Sequence, residues 1–422
     1  MARTKSREEI LVYAHWSEMK KPILMGVLYV EIIRGKEIFS FEYSKEWLKS
    51  NYAQIIDPDL LLHSGPQYTQ DDRTNFGIFL DSSPDRWGRI LMKRREAATA
   101  RQGKRNEKTL KESDFLLGVY DEHRMGGLRF KMNENGPFLN SDRKFVIPPW
   151  TSLRELGEIS LKIENDDLID DPDYINWLNM LIAPGSSLGG ARPKASVIDS
   201  QNNLWIAKFP SSHDERDIGA WEMVVNILAH DIGLNIPVTK VENYANKHHT
   251  FLSKRFDRSK NIRIHFASAM TMLGYNGGTN ASDGLSYLEL VDFISANGAK
   301  VKEDLEELWK RIVFSICVTN TDDHLRNHGF ILTDEGWILS PAFDINPIEN
   351  GTGLKLNISE TDNSLDFDLA LDVVDYFRIE RRKAEKMLNQ IKEEVKKWEI
   401  IADGLGISKA EKSLMAKAFK VK

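Results

Sequence analysis

Short β-rich runs separated by turn residues open the chain. Leu11–His15, Ile23–Ile33 and Glu37–Tyr43, the last after Arg34-Gly35-Lys36, predict a small meander. Helical spacing takes over near Ser83-Pro84-Asp85, where Pro84 suits a helix start and Trp87, Ile90, Leu91 and Met92 supply an apolar face. A second helix is predicted from near Thr151-Ser152 and a third over Tyr174–Ile182. Between Arg94 and Ser113 there is almost nothing to bury. This charged stretch reads as a solvated helix end and loop, or as a patch for an acidic partner. Gly185–Lys194 reads as a loop, followed by strands Ala195–Ile198 and Leu204–Phe209 and an amphipathic helix over Asp217–Ile232. Leu305, Leu308, Trp309, Ile312, Val313 and Ile316 then recur at helical spacing, and that helix delivers the chain into Thr319-Asn320-Thr321-Asp322. The last hundred residues repeat the pattern in Ala384, Met387, Leu388, Ile391, Val395 and Trp398, a helical scaffold.

At 422 residues the chain is too long for one ordinary core and predicts two or three subdomains. An apolar fraction of 41% and a charged fraction of 28% indicate a soluble globular protein. The formal charge of −6 argues against coating nucleic acid through the overall field. Cys317, the only cysteine, lies in an apolar helical stretch and reads as a buried inert thiol in a reducing cytosol. The charged start has no signal-peptide core behind it, and Glu31 interrupts the most apolar early run, so neither secretion nor a membrane span is expected.

The chemistry concentrates in Asn320–Asn327, where an amide follows a carboxylate by five residues at the mouth of a loop. Protein kinases use this Asp-x-x-x-x-Asn spacing: the Asp orients an acceptor hydroxyl and takes its proton, and the Asn holds Mg²⁺. Here those residues are Asp322 and Asn327. Two short strands, Gly329–Leu332 and Trp337–Leu339, then lead to Ser340-Pro341-Ala342-Phe343-Asp344. A hairpin there carries Asp344 back beside Asp322 and Asn327, making an oxygen-lined site suited to Mg²⁺. Taken alone, Asp344 is equally a turn former before Asn346-Pro347.

Upstream, the Gly185–Lys194 loop joins small residues to two cations. Glycines let backbone N–H groups approach phosphate oxygens, and Arg192 or Lys194 adds charge. Lys208 stands on the second strand after this loop, where an ATP-binding kinase keeps its phosphate-contacting lysine, and Glu222 on the next helix can orient it through an ion pair.

In this order the pieces resemble the HipA family, kinase toxins of bacterial toxin–antitoxin systems. The matching segments are Ser187–Lys194, Ile206–Pro210, Gly233–Pro237, Lys254–Arg258, Asn320–Asn327 and Ser340–Asp344, with a looser match over Phe39–Tyr43, Trp47 and Phe76–Arg86. The resemblance implies an α+β, protein-kinase-like two-lobed fold with a β-rich N-terminal subdomain (1–145), a nucleotide-binding lobe with the Gly-rich loop (146–265) and a mostly helical C-terminal lobe (266–422). It implies Asp322 as catalytic, Asn327 and Asp344 on Mg²⁺, and Lys208 on ATP. It places Gly189, Gly190, Arg192, Lys194, Glu222 and His324 around the nucleotide, with Lys254 to Phe256 as the adenine hinge and Asp257 nearby. Ser187 matches the family's regulatory serine, with Ser186 beside it. Phosphate there adds roughly −1.5 to −2 charges where ATP phosphates must sit. The loop departs from the family at Arg192-Pro193, because Pro193 fixes one φ angle.

The resemblance further implies a cytoplasmic serine/threonine kinase, inactivated by autophosphorylation and linked to bacterial persistence. Its expected partners are a protein substrate, possibly a translation factor such as an aminoacyl-tRNA synthetase, and a small HipB-like helix-turn-helix antitoxin. DNA is reached only through that antitoxin. Three other readings compete: a small-molecule kinase of the same fold, an inactive kinase-fold binding protein, and a metallohydrolase built on Asp322, Asp323, His324, His328 and Asp344. In the last, His324 and His328 share a helix face by their i, i+4 spacing.

Overall fold

The expected meander is present as β1 (Arg7–Ala14), β2 (Ile23–Ile33) and β3 (Lys36–Tyr43) in the computed structural model. The structure describes all residues except 1–6, 18, 71–72, 165–167, 183–191, 245–246, 261 and 422. It divides into two compact units, 1–207 with 257–267, and 208–256 with 268–422.

In the first unit, β4 (Gln67–Tyr68) and β5 (Leu128–Lys131) extend the meander to a five-stranded sheet of order β4-β3-β2-β1-β5. Arg34 (φ 51°) and Gly35 (φ 84°) form the two-residue turn between β2 and β3. Positive φ at both central positions matches the twist of a tight hairpin. Strand β1 starts four residues before the hydrophobic run predicts. Arg7–Glu9 pair with Tyr29–Glu31 although their side chains are exposed, because a backbone ladder needs no buried side chain. The inward row, Ile10, Val12, Met25, Leu28, Val30, Phe39 and Phe41, is buried. Asp85 caps the helix Arg86–Gln102 by accepting from the Gly88 N–H at 2.9 Å, so Pro84 stands just outside the helix it was expected to start. The helices Leu153–Glu164 and Tyr174–Ile182 lie where expected.

The strands β6 (Lys194–Ile198) and β7 (Leu204–Lys208) turn at Asp199–Asn203. The Asp199 carboxylate accepts from the Gln201 and Asn203 N–H groups and from the Trp205 indole. Strand β7 ends on Lys208, where the second unit begins.

In the second unit, Asp217 caps the helix Ile218–Asp231 at the Ala220 N–H, 3.0 Å. The sequence predicts an amphipathic helix here, but most of its surface is buried. Gly219, Ala220, Trp221, Glu222, Val224, Val225, Asn226, Leu228 and Ala229 all lie inside, and a Cβ at Gly219 would come within 2.3 Å of the His249 carbonyl. Burial on nearly all faces blurs the 3.6-residue contrast that an amphipathic reading relies on. Strands β8 (Thr239–Glu242) and β9 (Thr250–Lys254) pair antiparallel.

The long helix Val301–Val318 buries each of its predicted apolar residues. It stops at Thr319, which takes a left-handed conformation (φ 51°) while its hydroxyl donates to the Ala418 carbonyl at 2.7 Å. Gly329–Thr333 and Gly336–Leu339 form the expected hairpin. Helices Phe367–Asp372, Arg381–Val395, Trp398–Gly404 and Lys409–Met415 finish the chain. Among the described residues no helix is long and apolar enough to cross a membrane. Cys317 is buried, and burial pushes its thiol up to about 12.

Candidate active site

Asp322 follows directly on the left-handed turn that ends the long helix, so the helix terminus aims the loop. Its carboxylate is exposed, whereas Asn327, five residues on, is buried and donates its side-chain N–H to the Asp322 carbonyl at 3.1 Å. That bond closes the loop on itself. The amide oxygen of Asn327 is buried and unbonded. An orphaned buried acceptor is costly, which marks it as a position awaiting a donor or a cation.

The hairpin returns the chain to this loop as the spacing predicts. Backbone N–H of Asn346 donates to the Asn320 side chain at 3.3 Å, and Ile348 N–H donates to the Thr319 carbonyl at 3.2 Å. Asp344 stands two residues before Asn346, in a left-handed conformation (φ 59°) that aspartate tolerates better than most side chains. Its carboxylate accepts from Lys208 Nζ at 2.6 Å and from the Asn346 amide at 3.2 Å. The Asn346 amide oxygen is buried and unbonded, like that of Asn327. Two hard amide oxygens and one carboxylate suit Mg²⁺, a cation that takes few protein oxygens and completes its shell with phosphate and water. Asn346 was read from the sequence only as part of a turn. Its place two residues after Asp344 is the signal that could have found it.

Lys208 Nζ also donates to Glu222 Oε1 at 2.6 Å, so the lysine bridges two carboxylates. Its side chain is 11% exposed and that of Glu222 3%. Burial alone would lower the Lys208 pKa, but Asp344 and Glu222 reverse this and hold it above the ordinary lysine value. Phe251 lies beneath the ammonium, 5.6 Å to the ring centroid. Of the expected hinge, Lys254 N–H donates to the Val238 carbonyl at 2.8 Å, and the Phe256 ring stands 5.7 Å from that of Phe343, next to Asp344.

Two residues expected around the nucleotide have partners of their own in the first unit. Lys194 is 1% exposed and its ammonium pairs with Asp85 at 2.7 Å inside the first unit. Asp257 is fully buried, accepting from Gly126 N–H at 2.9 Å and Arg258 at 2.6 Å, also within the first unit. Arg192 is half-buried in that unit. Ser186, Ser187, Gly189 and Gly190 lie outside the described residues.

The helical face proposed for a metallohydrolase does not form. His324 and His328 flank a three-residue 3₁₀ turn, Leu325–Asn327, rather than sharing a helix. Among the described residues no group of three or more His, Cys, Asp and Glu gathers as a metal cluster. His328 instead lies 2.9 Å from Asp323, whose other oxygen accepts the Tyr287 hydroxyl at 2.5 Å. Burial works to raise the Asp323 carboxyl, but His328, Tyr287 and His324 together hold it below the ordinary aspartate value. This buried network braces the Asp322–Asn327 loop from behind, and the sequence reading missed it because Tyr287 lies 36 residues away.

A Tyr287→Phe protein leaves one buried carboxylate oxygen without its donor, at a cost of about 1–3 kcal/mol. Because the wild-type carboxyl is held low, its contribution is present above the unfolded aspartate value and fades as pH falls through the folded one. Urea unfolding should therefore show the loss in full at neutral pH and see it narrow only below about pH 4. A loss unchanged down to pH 3 would rule this account out.

A second hidden support seats Asp344. Ala342 N–H donates to the Asn235 carbonyl at 2.8 Å, and the Arg311 guanidinium donates to the Ser340 carbonyl at 2.8 Å while pairing with Glu307. The Gly233–Pro237 segment thus holds the strand end from which Asp344 emerges.

Residues 186–398 match the family model of the HipA-like C-terminal domain, half of the chain. The chain belongs to the HipA family. A Haemophilus influenzae protein named as an inferred kinase is 27% identical over 179 residues, which cover 38% of this chain and 52% of that protein. The chain thus spans about half the length of that curated relative. Among solved structures, HipA in the Shewanella oneidensis MR-1 toxin–antitoxin complex of HipA, HipB and operator DNA matches 97% of this chain and 94% of its own. Its TM-score is 0.62 and its identity 16%. The Helicobacter pylori proinflammatory kinase CtkA matches 55% of this chain and 87% of its own, with a TM-score of 0.40 and 18% identity. The α+β fold expected from the sequence is the kinase-like HipA fold.

Proposed function

We propose that the protein is an ATP-dependent serine/threonine protein kinase. The observation that carries this reading is Lys208, held at 2.6 Å from both Glu222 and Asp344, with Asp322 and Asn327 in the adjoining loop. A kinase needs this set: a lysine for the nucleotide phosphates, a carboxylate that orients it, a metal-binding acid and a base for the acceptor. Asp344, Asn327 and the Asn346 amide oxygen would hold Mg²⁺, which when bound neutralises phosphate charge. Lys208 exchanges its Asp344 contact for ATP phosphate oxygens while Glu222 keeps it in place. Asp322 takes the acceptor's hydroxyl proton as the oxygen bonds to the γ-phosphorus and the bond from that phosphorus to ADP breaks. Transfer of label from γ-labelled ATP to protein, absent in Asp322→Asn, tests the assignment.

The family membership and the fold shared with the Shewanella HipA support a finer reading. The enzyme is a cytoplasmic growth-inhibiting toxin neutralised by a HipB-like antitoxin, reaching DNA only through it. Its target is a protein, possibly a translation factor such as an aminoacyl-tRNA synthetase, and autophosphorylation at Ser187 shuts it off. Mass spectrometry should find the inactivating phosphate on the wild type and not on Ser187→Ala. An equal phosphate on the variant moves the site to Ser186 or elsewhere.

A further inference from the structure

A short hairpin in the first unit, Arg258–Ser259 against Ile262–Arg263, sets Arg258 directly opposite Arg263 and carries Lys260 in its turn. Like charges facing one another across two strands repel. Together with Glu122 and the end of the β6–β7 hairpin, these three cations line a cleft of about 430 Å³. Its lining belongs wholly to the first unit, whereas Lys208, Asp322 and Asp344 belong to the second.

The cleft carries more positive charge than its surroundings offset. Within the lining, Arg258, Lys260 and Arg263 are met by the single carboxylate of Glu122, 3.3 Å from Arg263. Behind it, Asp257 pairs with Arg258 at 2.6 Å, and Asp121 accepts from Arg263 at 3.0 Å and from Arg129. Two further arginines balance those two carboxylates: Arg129, and the fully buried Arg124, whose guanidinium donates to the Ser82, Leu116, Val119 and Leu139 carbonyls. Among the described residues no carboxylate pairs with Lys260. An excess of two positive charges therefore remains at the cleft. His15 responds to it, for burial, then Arg129 and Arg263, hold its imidazole below the ordinary histidine value.

Arg263 also supplies an unmet donor. Its side chain is 4% exposed, and its Nη2 is taken by Asp121 and Glu122, while Nη1 is buried with no hydrogen-bond partner among the described residues. A buried charged donor left unmatched is costly, so the position suits an anionic acceptor. Apart from Asn202, the rest of the lining is apolar, with Ile147, Ile198 and Leu204. A cleft of this size, with apolar walls and a few convergent polar groups, has the dimensions and chemistry of a small-molecule site.

We propose that this cleft binds a small organic phosphate monoester, with its phosphate on Arg263 and Lys260 and its apolar body against Ile147, Ile198 and Leu204. A phosphate monoester carries about −1.5 to −2 charges near pH 7, which matches the excess. Inorganic phosphate brings the charge but leaves the apolar wall wet. A neutral apolar molecule covers the wall but leaves the charge unmet. The site stands whether or not the second unit transfers phosphate.

The test is a titration of the full chain labelled at isoleucine and leucine methyls, because Ile147, Ile198 and Leu204 then report from the cleft itself. Phenyl phosphate should shift these methyls saturably and bind about tenfold or more tighter than inorganic phosphate, since burying one ring is worth at least that much. Lys260→Glu changes an exposed side chain and should keep the methyl spectrum of the free protein while weakening phenyl phosphate by about tenfold or more. Arg263→Lys keeps a cation beside Asp121 but loses the planar fork, and should weaken it comparably. If Arg263→Lys fails to fold, Lys260→Glu decides alone. Cleft methyls that stay unmoved by phenyl phosphate at millimolar concentrations overturn the assignment. So does a Lys260→Glu protein that binds it as tightly as the wild type, or neutral phenol reproducing the same shifts at the same concentrations. Inorganic phosphate binding as tightly as phenyl phosphate would remove the organic body from the proposal and overturn it in that form.

Discussion

An Asp322→Asn protein is expected to fold normally, bind ATP and lose phosphate transfer by a factor of about 10²–10⁴, the usual contribution of a general base. The two ends of the Asp322–Asn327 loop are used differently. The Asp322 carboxylate is exposed, and the loop is tied through the Asp322 backbone carbonyl, which asparagine keeps. Thermal and urea unfolding should therefore stay within about 0.5 kcal/mol of the wild type, as for surface substitutions that touch no network. Nucleotide binding should also hold, because Lys208, Glu222 and Asp344 do not touch this side chain. The decisive measurement is single-turnover transfer from γ-labelled ATP at saturating nucleotide. Undiminished transfer by a soluble Asp322→Asn protein would remove the residue from the mechanism.

Lys208→Met should have the largest effect on stability. The wild-type ammonium neutralises two carboxylates at 2.6 Å, with side-chain exposures of 11% for Lys208, 3% for Glu222 and 21% for Asp344. Removing the cation leaves buried like charges, a situation that costs about 3–5 kcal/mol. The sign of the pH dependence follows. In the variant, burial and the neighbouring carboxylate raise the folded-state pKa of the Glu222 and Asp344 pair above its unfolded value. The folded state then binds more protons than the unfolded state, so the variant regains stability as pH falls through the raised value and loses it as pH rises. Urea unfolding at pH 5 and pH 8 should show the gap from wild type narrowing at the lower pH. Adding Glu222→Gln should recover part of the loss, since the double variant no longer buries two carboxylates together. A pH-independent deficit would mean that the lysine acts through packing alone. On the proposed kinase reading, phosphate transfer should fall with the single variant as well.

Much of this was legible in the chain's own order. Periodicity located the β-meander, the helix ending at Val318 and the hairpin after Gly329, because each puts apolar residues at a spacing that only one kind of element buries. The spacing from Asp322 to Asn327 is local, so one loop holds both. The same hairpin reasoning brought Asp344 back to that loop. Partners remote in the chain were not legible. Lys194 stands beside a Gly-rich loop as a phosphate lysine would, and its partner Asp85 lies 109 residues earlier. Asp257 lies beside the expected hinge, and its carboxylate accepts from Gly126, 131 residues away, and from Arg258.

By itself, then, the sequence determined the local elements, the loop that carries Asp322 and Asn327, and the order of a HipA-like chain. Only the tertiary structure decided which charges are available. It gave Lys208 two carboxylates drawn from different elements, buried Lys194 and Asp257 in pairs of their own, and placed Tyr287 and His328 behind the Asp322–Asn327 loop. The reason is physical. Spacing along the chain fixes what neighbours on one element can do, while the ionisation and reach of a charged side chain are set by partners and burial that chain order does not encode.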